Sequence, residues 1–233
     1  MPPLTEPTDA HPLTILQIGD SLGEDLGIGL ENELGADPLV KIYPEAVGDT
    51  GLANVGYYNW PAELQSELQQ YRPRAVIVFL GGNDGQGFDV NGEAVEFGTP
   101  AWISAYTARV AKMMDEATSA RARVLWVGMP NMRPAYLVPE MELVNSIYRS
   151  QAALHKGVTY YSSWALFSNS AGQYMEYITG PGGEQIQLRD DDGVHLATAG
   201  CDRVAQALIA PMDQAWGISI VPAGGVTVGT APV

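Results

Sequence analysis

The sequence predicts an α/β fold, a single three-layer α/β/α domain around a five-stranded parallel sheet. Three observations predict it. Short apolar runs alternate with longer amphipathic segments along the 233 residues, the pattern of strands joined by helical crossovers. One run, residues 75–80, is apolar throughout, as a strand buried on both faces should be. The length suits one domain, and five strands fit the flavodoxin-like order 2-1-3-4-5.

Five short runs are the expected strands. The first ends at Gly19, and the fourth is stopped by Gly128 and Pro130. The predicted strands are residues 13–18, 40–43, 75–80, 123–127 and 158–161.

Five longer segments carry apolar residues at a spacing of three or four, which is typical of helices packed on one side. The predicted helices are residues 24–34, 61–71, 102–117, 138–155 and 197–216. Because proline lacks the N–H that a helix needs, we expect the last helix to be interrupted or to end near Pro211.

The remaining segments are rich in glycine, proline or polar residues. Residues 84–100 and 168–193 are expected to be irregular and to overhang the carboxyl edge of the sheet, where ligands of such folds bind. Residues 1–12 are interpreted as a linker, 13–218 as the domain and 219–233 as a tail that wraps the surface or is loose.

Charge and composition limit the function. Twelve basic and 27 acidic residues give a net charge of −15, which disfavours binding to nucleic acid. Cys201 is the sole cysteine, so no internal disulfide forms. The sequence has no apolar run of about 18 residues that could span a membrane. Its N-terminus also has no signal-peptide pattern.

Four short segments stand where chemistry is expected. Gly19-Asp20-Ser21-Leu22-Gly23 follows the first strand, where Ser21 could be a nucleophile and where Ser21 or Asp20 could simply cap the helix. Gly48 follows the second strand, in a segment that could equally be a plain turn. Asn83 follows the third strand, and no Lys-Ser or Lys-Thr completes a phosphate loop there. In residues 190–195 an acidic run precedes His195, with a spacing that does not fit an EF-hand.

Together these segments contain the parts of a serine hydrolase. Asp192 lies three residues before His195, so one turn can bring its carboxylate to the imidazole. We therefore interpret Ser21 as the nucleophile, His195 as the base and Asp192 as the group that orients the base. The Ser21 N–H, the Gly48 N–H and the Asn83 side-chain amide are the candidate oxyanion donors. No metal and no organic cofactor is required.

Further residues are candidates for contact with the substrate. Arg189 could hold the His195 loop by a salt bridge or meet an anionic substrate, with the structural role favoured, and Arg133 is similar. Together these two arginines could form a local basic patch. Tyr174 and Tyr177 lie in an irregular stretch and could form a wall on which a sugar stacks, as could Trp60, whereas Trp102 is expected in the core. Asp84 is expected to order its loop.

The four segments, in order and spacing, resemble the four blocks of the SGNH (GDSL) hydrolases. More narrowly, several motifs resemble the bacterial subgroup known as DUF459, although the Gly48 segment departs from the small-residue pattern expected there. These motifs are Thr50-Gly51-Leu52, Asn59-Trp60-Pro61, Trp126-Val127-Gly128-Met129-Pro130 with Met132-Arg133, and Arg189-x-x-Asp192-Gly193-x-His195.

The resemblance implies esterase or lipase chemistry. Relatives of the subgroup include cell-envelope O-acetyl esterases and the SGNH parts of polysaccharide O-acyltransferases. We therefore expect a serine esterase that removes a short acyl group, acetyl in particular, from a bacterial cell-envelope carbohydrate. The alternatives are acyl transfer to a sugar hydroxyl and a non-catalytic carbohydrate-binding module. The resemblance also implies a location in the cell envelope or outside the cell, and the residues leave a cytoplasmic location open.

Overall fold

The computed structural model describes residues 1–220 of the chain. Strands and helices alternate through most of its length, as the pattern of apolar runs predicts. In chain order the elements are β1 (Leu13–Gly19), α1 (Ser21–Leu34), β2 (Val40–Pro44), α2 (Trp60–Tyr71), β3 (Ala75–Phe79), β4 (Phe88–Val90), β5 (Glu93–Val95), α3 (Pro100–Ser119), β6 (Arg123–Gly128), α4 (Leu137–Leu154), β7 (Val158–Ser162), a short 3-10 helix (Trp164–Phe167), β8 (Tyr177–Thr179), β9 (Gln185–Gln187) and α5 (Thr198–Trp216).

The middle layer is a five-stranded parallel sheet in the order β2-β1-β3-β6-β7. Counting only the strands of this sheet, the order is 2-1-3-4-5, so the predicted fold class is confirmed. Strands β3 and β6 are buried at every residue. The outer strands β2 and β7 are only partly buried. The wholly apolar run in β3 therefore marks an inner strand with helices above and below it.

Helices cover both faces of the sheet. Helices α1 and α5 pack against each other, and α3 packs between α2 and α4. The contact between α1 and α5 is close at Gly29, where a Cβ atom would lie 2.1 Å from the carbonyl oxygen of Cys201. Because the two backbones approach so closely, only glycine fits at this position.

Helix α5 continues through Pro211 to Trp216, so the expectation that it is interrupted or ends near Pro211 is wrong. Proline at this position removes one backbone hydrogen bond, the one that would reach the carbonyl of Ala207. Met212 and Trp216, which follow the proline, are both fully buried. Their burial stabilises the last turns enough to offset the missing hydrogen bond.

Both segments expected to be irregular contain a short antiparallel hairpin. Strands β4 and β5 pair within residues 84–100, and β8 and β9 pair within residues 168–193. The two-residue turn between β4 and β5 is Asn91-Gly92, and both residues have positive φ, at 55° and 87°. This backbone is that of a type I′ turn, which Asn-Gly favours.

The first twelve residues, interpreted as a linker, lie against the body of the domain. The Leu4 N–H donates to the carbonyl of Trp216 at 2.7 Å. The guanidinium of Arg74 donates to the carbonyls of Thr5, His11 and Pro12. The expected tail from residue 221 onward lies outside the described residues. Within residues 1–220, no helix is both long enough and apolar enough to cross a membrane.

Candidate active site

The candidate site lies at the carboxyl edge of the sheet, where the loops after β1, β2 and β3 meet the loop before α5. Ser21 is the first residue of α1, directly after β1. Asp20 is the cap of this helix, and its side chain accepts a hydrogen bond from the Leu22 N–H at 3.0 Å. Because Asp20 supplies the cap, the Ser21 hydroxyl is left for another partner.

That partner is His195, and a continuous chain of hydrogen bonds joins the three residues predicted to act together. The Ser21 Oγ lies 2.9 Å from the His195 Nε2. The His195 Nδ1 lies 2.5 Å from the Asp192 Oδ2. The other carboxylate oxygen accepts from the backbone N–H groups of Val194 and His195, at 2.7 and 3.0 Å. An ionised carboxylate favours the tautomer with the proton on Nδ1, which leaves Nε2 to accept the serine proton.

The pKa values of this pair fit those roles. Burial alone would raise the pKa of Asp192, but hydrogen bonds from the His195 ring and two backbone N–H groups outweigh it and lower the pKa to about 2. Burial works to lower the pKa of His195, whereas the Asp192 hydrogen bond and the nearby carboxylates of Asp25 and Asp190 raise it above its usual value. His195 is thus a stronger base than an unperturbed imidazole.

Arg189 holds the His195 loop from inside the protein and is not placed to touch a substrate. It is fully buried. Its guanidinium donates to the carbonyls of Asn131, Val194 and His195, and burial lowers its pKa to about 10. The tentative substrate-binding role of Arg189 is therefore corrected to a structural one. The expected salt bridge is also replaced, since the guanidinium fixes the loop through carbonyl oxygens.

Arg133 is exposed but already committed to protein partners. Its guanidinium pairs with the Glu176 carboxylate at 2.9 Å and donates to the carbonyl of Asp191, while its backbone N–H donates to Gly193 at 3.0 Å. Arg133 thus braces the loop that carries His195. The proposed basic patch of Arg133 and Arg189 is wrong for this reason: neither guanidinium is free for an anion.

Of the predicted sugar-stacking residues, one remains open to solvent. Tyr177 is 44% exposed. Tyr174 is half-buried, with its ring facing the Arg189 guanidinium at 5.6 Å. Trp60 and Trp102 are both fully buried, and the Trp60 indole donates to the Thr50 hydroxyl at 3.0 Å. Trp60 therefore belongs to the core and not to a stacking wall.

The three candidate oxyanion donors differ in availability. Within the described part of the chain, the Ser21 N–H donates to no protein acceptor. The Asn83 amide donates to the Thr50 carbonyl at 2.9 Å, which leaves its second N–H open. The Gly48 N–H instead donates to the Glu24 carboxylate at 3.1 Å. The prediction that Gly48 offers an open donor does not hold in this structure, because Glu24 on α1 occupies it.

Three carboxylates position the site. The Asp20 carboxylate, which is fully buried, accepts from the Gly81 and Gly82 N–H groups at 2.8 and 2.7 Å, which ties α1 to the loop that holds Asn83. Asp84 accepts from Leu52, Ala53 and the Tyr106 hydroxyl, which is the loop-ordering role expected of it.

Sequence reasoning missed Asp25 as a third such group. Its carboxylate accepts from the Leu196 N–H at 2.9 Å, next to the base, and burial raises its pKa to about 6. The available signal was its position four residues after Ser21, which places both side chains on the same face of α1.

Within residues 1–220 no group of three or more His, Cys, Asp or Glu side chains is arranged to hold a metal ion. The arrangement can transfer a proton from a serine hydroxyl to a histidine and place amide donors beside the same serine. Those are the elements needed to open an ester through an acyl-serine.

Fold and site together define the class: the chain has the fold of the SGNH (GDSL) hydrolases. Structures with this fold include a GDSL-like lipase from Bacteroides thetaiotaomicron, 12% identical, with a TM-score of 0.59 over 91% of this chain and 93% of that one. An acetylxylan esterase from Geobacillus stearothermophilus, solved as a catalytic mutant, is 13% identical, with a TM-score of 0.59 over 89% and 95%. The psychrotrophic esterase EstA from a Pseudoalteromonas species, inhibited by monoethylphosphonate, is 15% identical, with a TM-score of 0.57 over 88% and 98%.

The chain belongs to the family described as "Protein of unknown function (DUF459)", whose profile matches residues 14–211. Among proteins with curated descriptions, none matches the chain.

Proposed function

We propose that this protein is a serine ester hydrolase that removes a short acyl group, acetyl in particular, from a bacterial cell-envelope carbohydrate. The observation that carries the proposal is the hydrogen-bonded chain from Ser21 through His195 to Asp192, at 2.9 and 2.5 Å. Two open amide donors beside it, the Ser21 N–H and the second N–H of Asn83, support the same chemistry.

The reaction follows from this geometry. The His195 Nε2 takes the Ser21 proton while Oγ attacks the ester carbonyl, and the resulting oxyanion is held by the amide donors. When the tetrahedral intermediate collapses, the C–O bond to the alcohol breaks and His195 returns the proton to the departing oxygen. Water, activated by the same imidazole, then hydrolyses the acyl-serine.

The exposure of the base favours water over a sugar as the acceptor. The His195 and Asp192 side chains are 38% and 48% exposed. An acyltransferase has to keep water away from its acyl-enzyme, and an open histidine does not do so. The complete Ser-His-Asp chain likewise argues against a non-catalytic binding module.

A short acyl group suits the crowding behind Ser21. A Cβ atom at Gly19 would lie 2.1 Å from the Phe79 carbonyl, so backbone fills the space directly behind the nucleophile. The three cavities of about 420 to 680 Å³ are lined by neither Ser21 nor His195. A long chain would gain about 0.8 kcal/mol for each methylene that it buries, and these surroundings offer little to bury it against. Carbohydrate as substrate and location in the envelope rest on the family resemblance.

Variants of the three residues test the catalytic proposal. Ser21→Ala and His195→Ala should each abolish hydrolysis of 4-nitrophenyl acetate, and Asp192→Asn should lower kcat by up to about 10⁴-fold. The matched control is Ser150→Ala, which removes an exposed hydroxyl on α4. A fluorophosphonate probe should label the wild type and the control but not Ser21→Ala. Near-normal turnover in Ser21→Ala would refute the assignment.

The acyl preference has its own test. Across 4-nitrophenyl esters from acetyl to octanoyl, kcat/KM should fall with chain length. A steady rise to octanoyl would point to a lipase or thioesterase instead.

A further inference from the structure

A cavity of about 420 Å³ lies beside the loop that carries Asn83. One wall is residues 53–56, which follow Thr50, and the other is residues 86–89, with Arg109 contributing from α3. The cavity is connected to the candidate active site through both walls. The Gln86 carboxamide donates to the Asn83 carbonyl at 2.7 Å, and the Asn83 amide donates to the Thr50 carbonyl at 2.9 Å.

Buried side chains fix both walls, although the walls are loops. The Asp84 carboxylate accepts from the N–H groups of Leu52 and Ala53, at 3.1 and 2.7 Å. The Arg109 guanidinium donates to the carbonyls of the same two residues, at 2.6 and 2.9 Å. The Trp102 indole donates to the Gln86 carbonyl at 2.8 Å. A cavity held in shape before a ligand arrives loses less entropy on binding, which is typical of a ligand site.

The groups around the cavity suit a neutral polyhydroxyl compound. Asn54 uses its side-chain oxygen for the Tyr57 N–H, at 3.2 Å, so its amide hydrogens make no bond to the described chain. The side-chain oxygen of Gln86 is likewise uncommitted within residues 1–220, and Asp89 supplies a carboxylate. These groups mix donors and acceptors, as sugar hydroxyls require. The Arg109 guanidinium lies 3.9 Å from the centre of the Phe88 ring and is offset by Asp89, which argues against a site for an anion.

An aromatic side chain next to the cavity completes the set. Tyr57 follows Gly56 directly and is 65% exposed. Its backbone is held by the turn at Asn54, and its ring makes no hydrogen bond within the described chain. An exposed tyrosine ring presents a flat apolar face together with a polar end. Such a face suits the C–H side of a sugar ring.

We infer that this cavity, with Tyr57 beside it, is the subsite for the sugar ring that carries the ester. The inference rests on the proposed function and assigns the sugar to the side of the loops after β2 and β3. It thereby replaces the wall of Tyr174 and Tyr177 on the opposite side of the site. The volume falls within the range of roughly 300–1,000 Å³ that is usual for small-molecule sites.

Two variants change the subsite, and one variant is a control. Gly56→Phe should fill the cavity, because a Cβ atom at Gly56 would meet nothing nearer than the Asn54 side-chain oxygen at 3.8 Å. Tyr57→Ala removes the ring. Ala111→Phe places the same bulk in the separate cavity of about 680 Å³ between α2 and α3.

The first readout is a ratio of kcat/KM values. The numerator is the best of the four mono-O-acetyl esters of methyl glucopyranoside, and the denominator is 4-nitrophenyl acetate. This ratio should fall about tenfold in Gly56→Phe and severalfold in Tyr57→Ala, and stay at the wild-type value in Ala111→Phe. An unchanged ratio in both subsite variants overturns the inference.

The second readout does not depend on turnover. In Ser21→Ala protein, saturation-transfer NMR should show the ring protons of the same four esters in contact with the protein. The signal should vanish when Gly56→Phe is added and persist when Ala111→Phe is added. Absence of the signal in Ser21→Ala, or its survival in the filled variant, overturns the subsite. Failure of the wild type to hydrolyse any ester would instead count against the proposed function.

Discussion

His195 is held by residues that no catalytic motif contains. Arg189 donates to its carbonyl oxygen from below, and Asp25 accepts from the next N–H along the chain, that of Leu196. Asp25 also adds negative charge near the imidazole. The orientation and the basicity of His195 therefore depend on side chains that do not touch the substrate.

Replacing Asp25 should change the pH dependence of the reaction. Burial raises the pKa of Asp25 to about 6, so the group is charged above that pH and helps to raise the pKa of His195. Asp25→Asn removes this charge while its side-chain oxygen can still accept from Leu196. The pKa of His195 should fall, more of it should be free base in mild acid, and the acid limb of kcat/KM should move to lower pH.

The control for this prediction is Asp115→Asn, which removes an equal charge from an exposed position on α3. Its pH profile should match that of the wild type. An acid limb that stays in place or moves to higher pH in Asp25→Asn would contradict the electrostatic role. A uniform loss of activity at all pH values would indicate a purely structural one.

Asn83 should act on the transition state. Its one uncommitted N–H can reach a developing oxyanion only when the carbonyl has become tetrahedral. Asn83→Ala should therefore lower kcat on 4-nitrophenyl acetate by roughly 10²–10³-fold with little change in KM. The comparison is Gln86→Ala, which removes the neighbouring contact to the Asn83 carbonyl and keeps the donor. If Asn83→Ala mainly raised KM, Asn83 would be a substrate-binding group.

Residue identity and spacing predicted some of these contacts and not others. The three-residue interval between Asp192 and His195 is local, so the sequence could predict that the two side chains meet. The occupation of the Gly48 N–H by Glu24 depends on how α1 packs beside the loop after β2, and no spacing within one segment encodes that. Arg189 was open to two interpretations because its burial is decided by residues 131 and 193–195, which are joined only by the fold.

At the scale of elements, Asp20 joins the start of α1 to the loop after β3. Its Oδ2 accepts from both Gly81 and Gly82, while Oδ1 accepts from Leu22. Asparagine has one oxygen, so in Asp20→Asn an NH₂ group must face backbone donors. We expect a loss of about 1–3 kcal/mol in the free energy of unfolding. We also expect a lower kcat, since the Asn83 loop loses its anchor.

Urea unfolding and kcat on an aryl acetate measure this effect. The matched control is Asp37→Asn, because the Asp37 carboxylate accepts from one backbone N–H, that of Leu39, in a partly buried turn. Its loss should be clearly smaller. Equal stability losses in the two variants would show that Asp20 is an ordinary helix cap and not a joint between elements.

Element type was predictable wherever an apolar pattern ran long enough. The sheet strands and the five helices follow from it, with ends shifted by a few residues, as at α1, which starts at Ser21 and not at residue 24. Asn91-Gly92 was a usable hairpin signal that the glycine-rich composition of its segment concealed. The continuation of α5 through Pro211 could not be predicted locally, because it depends on the burial of Trp216 in the assembled core.

The charge of the whole molecule should control which esters reach the site. The net charge is −15, and the two arginines nearest His195 are both engaged with protein partners. The site therefore has no local cation to offset the long-range field. Such a field repels anions at low salt and is screened as the Debye length falls from roughly 30 Å at about 0.01 M to roughly 10 Å at about 0.1 M.

A pair of esters that differ mainly in charge tests this expectation. For the anion 4-acetoxybenzoate, kcat/KM should rise about two- to fivefold as sodium chloride increases from about 0.01 to 0.5 M. For its neutral methyl ester, kcat/KM should stay nearly constant, because no long-range force acts on an uncharged molecule. The neutral ester thus controls for any effect of salt on the protein itself. A value for the anion that falls with salt would reveal a cationic subsite and would favour an acidic polysaccharide as the natural substrate.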